Sequence, residues 1–227
     1  MAEDNKIDST GSMRRMSALD ALRKQAEGRA KQDDPLVLRA KAVDALNKEM
    51  RAVSQYLGQI GGEISNVRPQ AGVPYEVLFF GKFAVILTNA WVDSRPRRVD
   101  GQECCERVYM RYQVNPEMPV KATLLAGDIA QTEQTLKLIG AEYQMTVEQK
   151  NDFGQPRKAS FLVKGKILTE IEIVADYTNL IVNVEMTNVW KPGKRHYRIP
   201  ADNFKDVGDE VARYILGVDK DFEARLK

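Results

Sequence analysis

VDALNKEMRAVSQYLGQIGGEISNV, residues 43–67, carries its apolar side chains in a 3,4 spacing: Val43, Met50, Leu57 and Ile64 at one heptad position, Leu46, Val53, Ile60 and Val67 at the other. That period predicts an amphipathic helix with a single seam. Asp34 followed by Pro35 marks its start, because the carboxylate caps free N–H groups and Pro has no N–H to leave orphaned in the first turn. Gly58, Gly61 and Gly62 each cost about 1 kcal/mol relative to Ala in a helix, so the expected span is 35–60, with Gly61 at its end. The charge-pairing positions beside the seam include Asn47, Ser54, Tyr56 and Gly61, which offer a second helix little. The seam of Val43, Leu46, Met50, Val53, Leu57 and Ile60 is therefore expected to pack on the protein's own sheet, with a helix dimer as the competing reading.

Beyond residue 67 the period changes. After a loop at 66–74, VLFFGKFAVILTNAWV (residues 77–92) is branched and aromatic, and Gly81-Lys82 reads as a hairpin or bulge. SRPRRVDGQ, residues 94–102, reads as an exposed basic loop. In residues 105–114, Val108, Met110, Tyr112 and Val114 alternate with Arg107, Tyr109, Arg111 and Gln113, which predicts a strand with one core face and one wet face. A second helix is signalled by Gly127-Asp128 with Gln131 three residues on, by a seam of Ile129, Thr132, Leu136 and Ile139, and by Gly140 as its left-handed stop. Strands are expected at about 142–149, 158–164, 166–176, 180–190 and 195–199, separated by turn residues. Asp202 is the expected cap of a last helix, with Phe204, Val207, Val211, Tyr214 and Ile215 inward and Gly217 at its end. This order predicts an α+β fold, a mainly antiparallel sheet of meander strands with a long N-terminal helix, a middle helix and a C-terminal helix packed on it. Residues 1–33 are expected to form a flexible segment with a short amphipathic helix, and 34–227 the α+β domain, which divides on paper into two α-then-β units, 34–126 and 127–217, sharing a core.

The chain has 227 residues, 43% hydrophobic and 29% charged, with a formal net charge of +2. A chain of that size can bury a core, and there is no global field to hold a polyanion. No run reaches the length of a membrane-spanning helix, and the only cysteines, Cys104 and Cys105, are adjacent, a spacing that strains a mutual disulfide. The expectation is a cytoplasmic protein with ordinary strand thiols, no metal site and no cofactor.

Catalytic signatures are missing from the sequence: a single histidine, His196, stands in GKRHYR, and no nucleophile elbow, zinc helix or phosphate loop is present. An enzyme is the less favoured reading. Its residues would be Glu170, Glu172 and Glu185. If a two-residue Thr178-Asn179 turn sets the register, Glu172 faces Glu185, whereas a four-residue loop would set Glu170 there instead; a hairpin pairing Val163 with Ile167 would bring Lys158 opposite Glu172 and Ser160 opposite Glu170. A solvated, cross-paired sheet face is preferred to an acid–base dyad. The candidate binding residues are Arg95, Arg97 and Arg98, the wet strand face of Arg107, Tyr109 and Arg111, and Lys194, Arg195 and His196. The expected function is protein interaction or assembly, with a protein partner or with itself as a homo-oligomer, through the 35–67 helix, the N-terminal segment or a sheet edge. Nucleic-acid or phosphate-ligand binding through the Arg95/Arg97/Arg98 and Lys194/Arg195 loops is the alternative, and it is not favoured because the two loops match no recognition consensus.

Overall fold

The structure is a computed structural model that describes residues 22–23 and 34–219. The flexible segment and short helix expected within residues 1–33 lie outside the described residues, apart from the helical Leu22 and Arg23. The chain divides into two units, Met1–Lys41 and Ala42–Lys227. In the first, the Asp34 carboxylate accepts from the N–H of Leu36 at 2.9 Å and its carbonyl from Leu38 at 3.0 Å, capping helix α1 (Pro35–Val67) at its first turn.

In the second unit α1 continues well past Gly61, which is buried in mid-helix. The expected stop is overturned by packing. A Cβ on Gly61 would lie 3.2 Å from Val92 Cγ2, so glycine lets the helix lie close to the sheet there, while Ser65 Oγ bonds both the N–H and the C=O of Ala90. Val43, Leu46, Met50, Val53, Leu57 and Ile64 are buried, Ile60 is half-buried and Val67 is 67% exposed.

Ten strands complete the chain with two further helices: β1 (Tyr75–Val77), β2 (Gly81–Phe83), β3 (Val85–Val99), β4 (Gln102–Pro116), β5 (Val120–Leu125), β6 (Glu142–Lys150), β7 (Pro156–Gly165), β8 (Ile167–Asp176), β9 (Ile181–Thr187) and β10 (Lys194–Pro200) among the described residues. All named pairings are antiparallel, in a β1-β2 hairpin, a five-stranded sheet of order β10-β9-β8-β4-β3 and a three-stranded sheet of order β5-β7-β6. The α+β fold with a mainly antiparallel sheet is thus the observed one. Helix α2 (Ala126–Leu138) buries Ile129, Thr132 and Leu136 in its seam, and α3 (Val207–Ile215) buries Val207, Val211, Tyr214 and Ile215. On the inner face of the large sheet Val108, Met110, Tyr112, Val114, Ile171, Ile173, Val184 and Met186 join the α1 seam in one hydrophobic cluster. Gly208 brings α3 against α1, since a Cβ there would sit 3.4 Å from Val53 Cα.

Several local expectations are corrected. The first turn is Leu78–Phe80, not Gly81-Lys82; Gly81 pairs with Val77 and holds the positive φ of +73°. Residues 94–102 are not a loop, because β3 runs to Val99 and only Asp100 and Gly101 turn, with φ of 50° and 85°. Two consecutive positive φ values match the twist of the flanking strands in a two-residue hairpin, the role for which Asp-Gly is suited. The Asp128 and Gln131 capping box does not form: Leu125 is the N-cap of α2, without a side-chain bond, and Asp128 lies inside the first turn, where its charge complements the helix dipole. Asp202 lies in a short 3-10 turn, Ala201–Asn203, and Asp206 is the residue before α3.

The largest correction concerns β7 and β8. Val163 does not oppose Ile167. The chain leaves one sheet for the other at Lys166, which adopts a left-handed φ of 61°, and the Asn115 carboxamide oxygen accepts from the Lys166 N–H at 2.9 Å. The same oxygen fills the space where a Cβ on Gly165 would stand, 2.6 Å away. No side chain fits at 165 without moving Asn115, and β7 pairs with β5 and β6 while β8 pairs with β4 and β9.

Candidate interaction face

The alternation that buries one side of the large sheet sets out the other as a grid, read across the strands from β3 to β10. One row is Trp91, Arg111, Glu170, Thr187 and Lys194. The next is Asp93, Tyr109, Glu172, Glu185 and His196. The third is Arg95, Arg107, Val174, Asn183 and Arg198. These residues are half-buried or exposed. Register does the placing: β3 returns to phase after an irregularity between Thr88 and Trp91, where Asn89 takes a φ of 50°.

Glu172 does face Glu185; Asp176 pairs with Ile181, and the four residues 177–180 turn between them. Their neutralising cations come from neither Lys158 nor β7. Arg107 Nη1 lies 2.8 Å from Glu172, Arg111 donates to Glu170 Oε1 from Nε at 2.9 Å and Nη2 at 2.6 Å, and Lys194 Nζ lies 2.6 Å from Glu185. Lys158 and Ser160 bond Glu148 in the other sheet. Burial pushes the Glu170 carboxyl upward, and hydrogen bonds from Tyr109 and Arg111 outweigh it, leaving Glu170 below the ordinary glutamate value. Glu185 raises the Lys194 ammonium by accepting its hydrogen bond. Glu170 is thus held ionised, the state of a paired carboxylate, and a general acid would need the opposite shift.

At the β3 end the face is different. The Trp91 indole is 55% exposed and meets Tyr109 edge-on, with ring centroids 6.1 Å apart at 69°. Arg111 lies over the Tyr109 ring at 5.6 Å and donates to its hydroxyl at 2.9 Å. Together with Asp93, Arg95, Arg107 and Glu172 these side chains line an open concavity of about 330 Å³. From the sequence Trp91 stands out only as an aromatic flanking the 94–102 segment, and Asp93 does not stand out at all. Their i, i+2 spacing with Arg95 was the signal, hidden by reading residues 94–102 as a loop.

The remaining candidates scatter. Arg97 pairs with Glu106 at 2.8 Å, and Arg98 stands opposite Glu103. Arg195 points to the inner face, where its guanidinium donates to the Tyr214 hydroxyl at 3.2 Å and to the Val189 carbonyl. His196 is exposed opposite Glu185. Since β3 and β10 are opposite edges of a five-stranded sheet, the two arginine groups are separated by roughly 19 Å at the usual strand spacing. Cys104 and Cys105 are both buried free thiols, and burial pushes both upward, away from thiolate chemistry. Among the described residues no cluster of His, Cys, Asp and Glu is arranged to hold a metal ion, and no helix is long and apolar enough to cross a membrane.

Comparison with protein-family models, curated proteins and solved structures finds no match for this chain.

Proposed function

We propose that this is a non-enzymatic interaction protein that docks a protein partner on the outer face of its five-stranded sheet, at the Trp91 end. The observation that carries the reading is the exposed Trp91 packed on Tyr109 within a ring of arginines, on a face whose glutamates Glu170, Glu172 and Glu185 are already paired. Tryptophan, tyrosine and arginine are the side chains that most often dominate binding energy, because each combines a large apolar surface with a polar handle. The helix seam is buried in the protein's own core, so the exposed face is the better candidate. The β3 edge is a poor template for strand addition: Pro96 has no N–H, and Arg95, Arg97 and Arg98 crowd it with charge. Nucleic acid remains the second reading, and it is weakened because a polyanion would have to displace Glu170 and Glu172 from Arg111 and Arg107.

The test is affinity purification from cells that express the protein, comparing wild type with Trp91→Ala, alongside sedimentation of the purified chain. A partner retained by wild type and lost by the variant at unchanged Tm supports the reading, with a hot-spot loss of about 2 kcal/mol or more. An unchanged set of partners removes it, and self-association lost in the variant would make the partner a second copy.

A further inference from the structure

Arg95 stands directly across the β3–β4 ladder from Arg107. Like charges in that position repel unless a counter-charge stands with them. Arg107 has one, the Glu172 carboxylate at 2.8 Å. Arg95 has no hydrogen bond or ion pair to any described residue. The nearest acid on its strand face, Asp93, turns Oδ1 back to the N–H of Ser94 at 2.9 Å. Both arginines line the concavity whose other wall is the exposed indole of Trp91. The corner therefore combines an unsatisfied guanidinium, a second cation held only from its far side, and an apolar ring surface within one open hollow.

We propose that this corner seats a carboxylate side chain of the protein partner between Arg95 and Arg107, with an adjacent apolar side chain of the same segment on Trp91. The inference rests on the docking reading above and names the chemistry of the partner, an acidic and apolar segment. A carboxylate fits for two reasons. Arginine presents its N–H groups in a planar fork that matches a carboxylate. Glu172 and Asp93 border the seat, and their charge repels a phosphate dianion more than a monoanion. A nucleic-acid strand would further need a row of free cations, and the neighbouring Arg111 is engaged by Glu170.

The experiment uses the purified full chain and three labelled probes followed by anisotropy: a peptide of alternating glutamate and leucine, the same peptide with glutamine for glutamate, and single-stranded oligothymidine. The expected result is that the glutamate peptide binds and the glutamine peptide does not. Arg95→Gln should weaken binding about ten-fold, Arg95→Lys should restore part of it, and Arg98→Gln, on the same strand outside the hollow, should leave it unchanged. Trp91→Ala should abolish binding, and thermal melts confirm that each variant is folded. Equal binding of the two peptides, or no binding of either, overturns the proposal. Loss of binding in Trp91→Ala with none in Arg95→Gln overturns the carboxylate seat and leaves the docking face standing. Binding unaffected by both variants overturns the two together. Oligothymidine binding that competes with the peptide and disappears in Arg95→Gln assigns the seat to phosphate and overturns the carboxylate.

Discussion

Glu172 and Glu185 face each other directly across the β8–β9 ladder, and each leans on a cation from the strand beyond, Arg107 at 2.8 Å and Lys194 at 2.6 Å. The two cations reach diagonally from the neighbouring rows and neutralise an otherwise unfavourable like-charge pair. Removing one outer cation should expose the repulsion. Arg107→Gln is expected to destabilise the fold by about 0.5 to 1 kcal/mol, and Glu172→Gln in that background should recover most of the loss. Urea melts of the two single variants and the double variant measure this coupling, which should shrink at high salt.

Glycines 58, 61 and 62 of α1 should respond differently to substitution. A Cβ at Gly58 or Gly62 meets nothing within 4 Å, so Gly58→Ala and Gly62→Ala should each stabilise by about 0.5 to 1 kcal/mol. Gly61→Leu should destabilise, since the side chain must displace Val92. Leu57→Ala, a fully buried truncation, should cost about 2 to 5 kcal/mol with no change in oligomeric state. Thermal melts paired with sedimentation check all four, and a Leu57→Ala protein that dissociates at unchanged monomer stability would make the seam an interface.

Two buried tyrosines provide a matched contrast. The Tyr75 hydroxyl has no hydrogen-bond partner among the described residues, while Tyr177 donates to the Cys105 carbonyl at 2.8 Å. Burial pushes both phenols well above their ordinary value, so both are neutral. Tyr75→Phe removes a polar atom that gained nothing and should be neutral or stabilising by up to about 1 kcal/mol. Tyr177→Phe leaves a buried carbonyl short of a donor and should cost about 1 to 2 kcal/mol. The difference in denaturation midpoint at equal slope reads both.

Acid should reveal Glu170. Its folded carboxyl titrates below the ordinary 4.5, so its contribution to stability is fully present above that value and disappears as pH falls through the folded pKa. Glu170→Gln should therefore be less stable than wild type at neutral pH and converge with it in acid. Denaturant melts from about pH 7 to about pH 3 trace the convergence. Parallel curves over that range would show that the Arg111 and Tyr109 bonds contribute nothing.

Much of the fold and part of the face were legible in the sequence, and the division tracks the range of each cause. The α1 seam and the alternation of Val108, Met110, Tyr112 and Val114 are set by helix and strand periods acting within a few residues, so they read directly. That Glu185 meets another glutamate was also legible, because the alternation of both strands allows only Glu170 or Glu172 there, and the turn at residues 177–180 decides for Glu172. The order of the strands was not. That β8 lies beside β4, so that Arg111 meets Glu170 59 residues further along the chain, depends on the crossing at Lys166. At that crossing the Asn115 carboxamide stands where a Cβ on residue 165 would be and binds the Lys166 N–H. Likewise Gly61 continues the helix because of its approach to Val92, a contact that no helix propensity contains. Local steric preference determined which residues point inward. Only long-range packing decided which outward residues stand together, and the hollow between Trp91, Arg95 and Arg107 is a product of that second step.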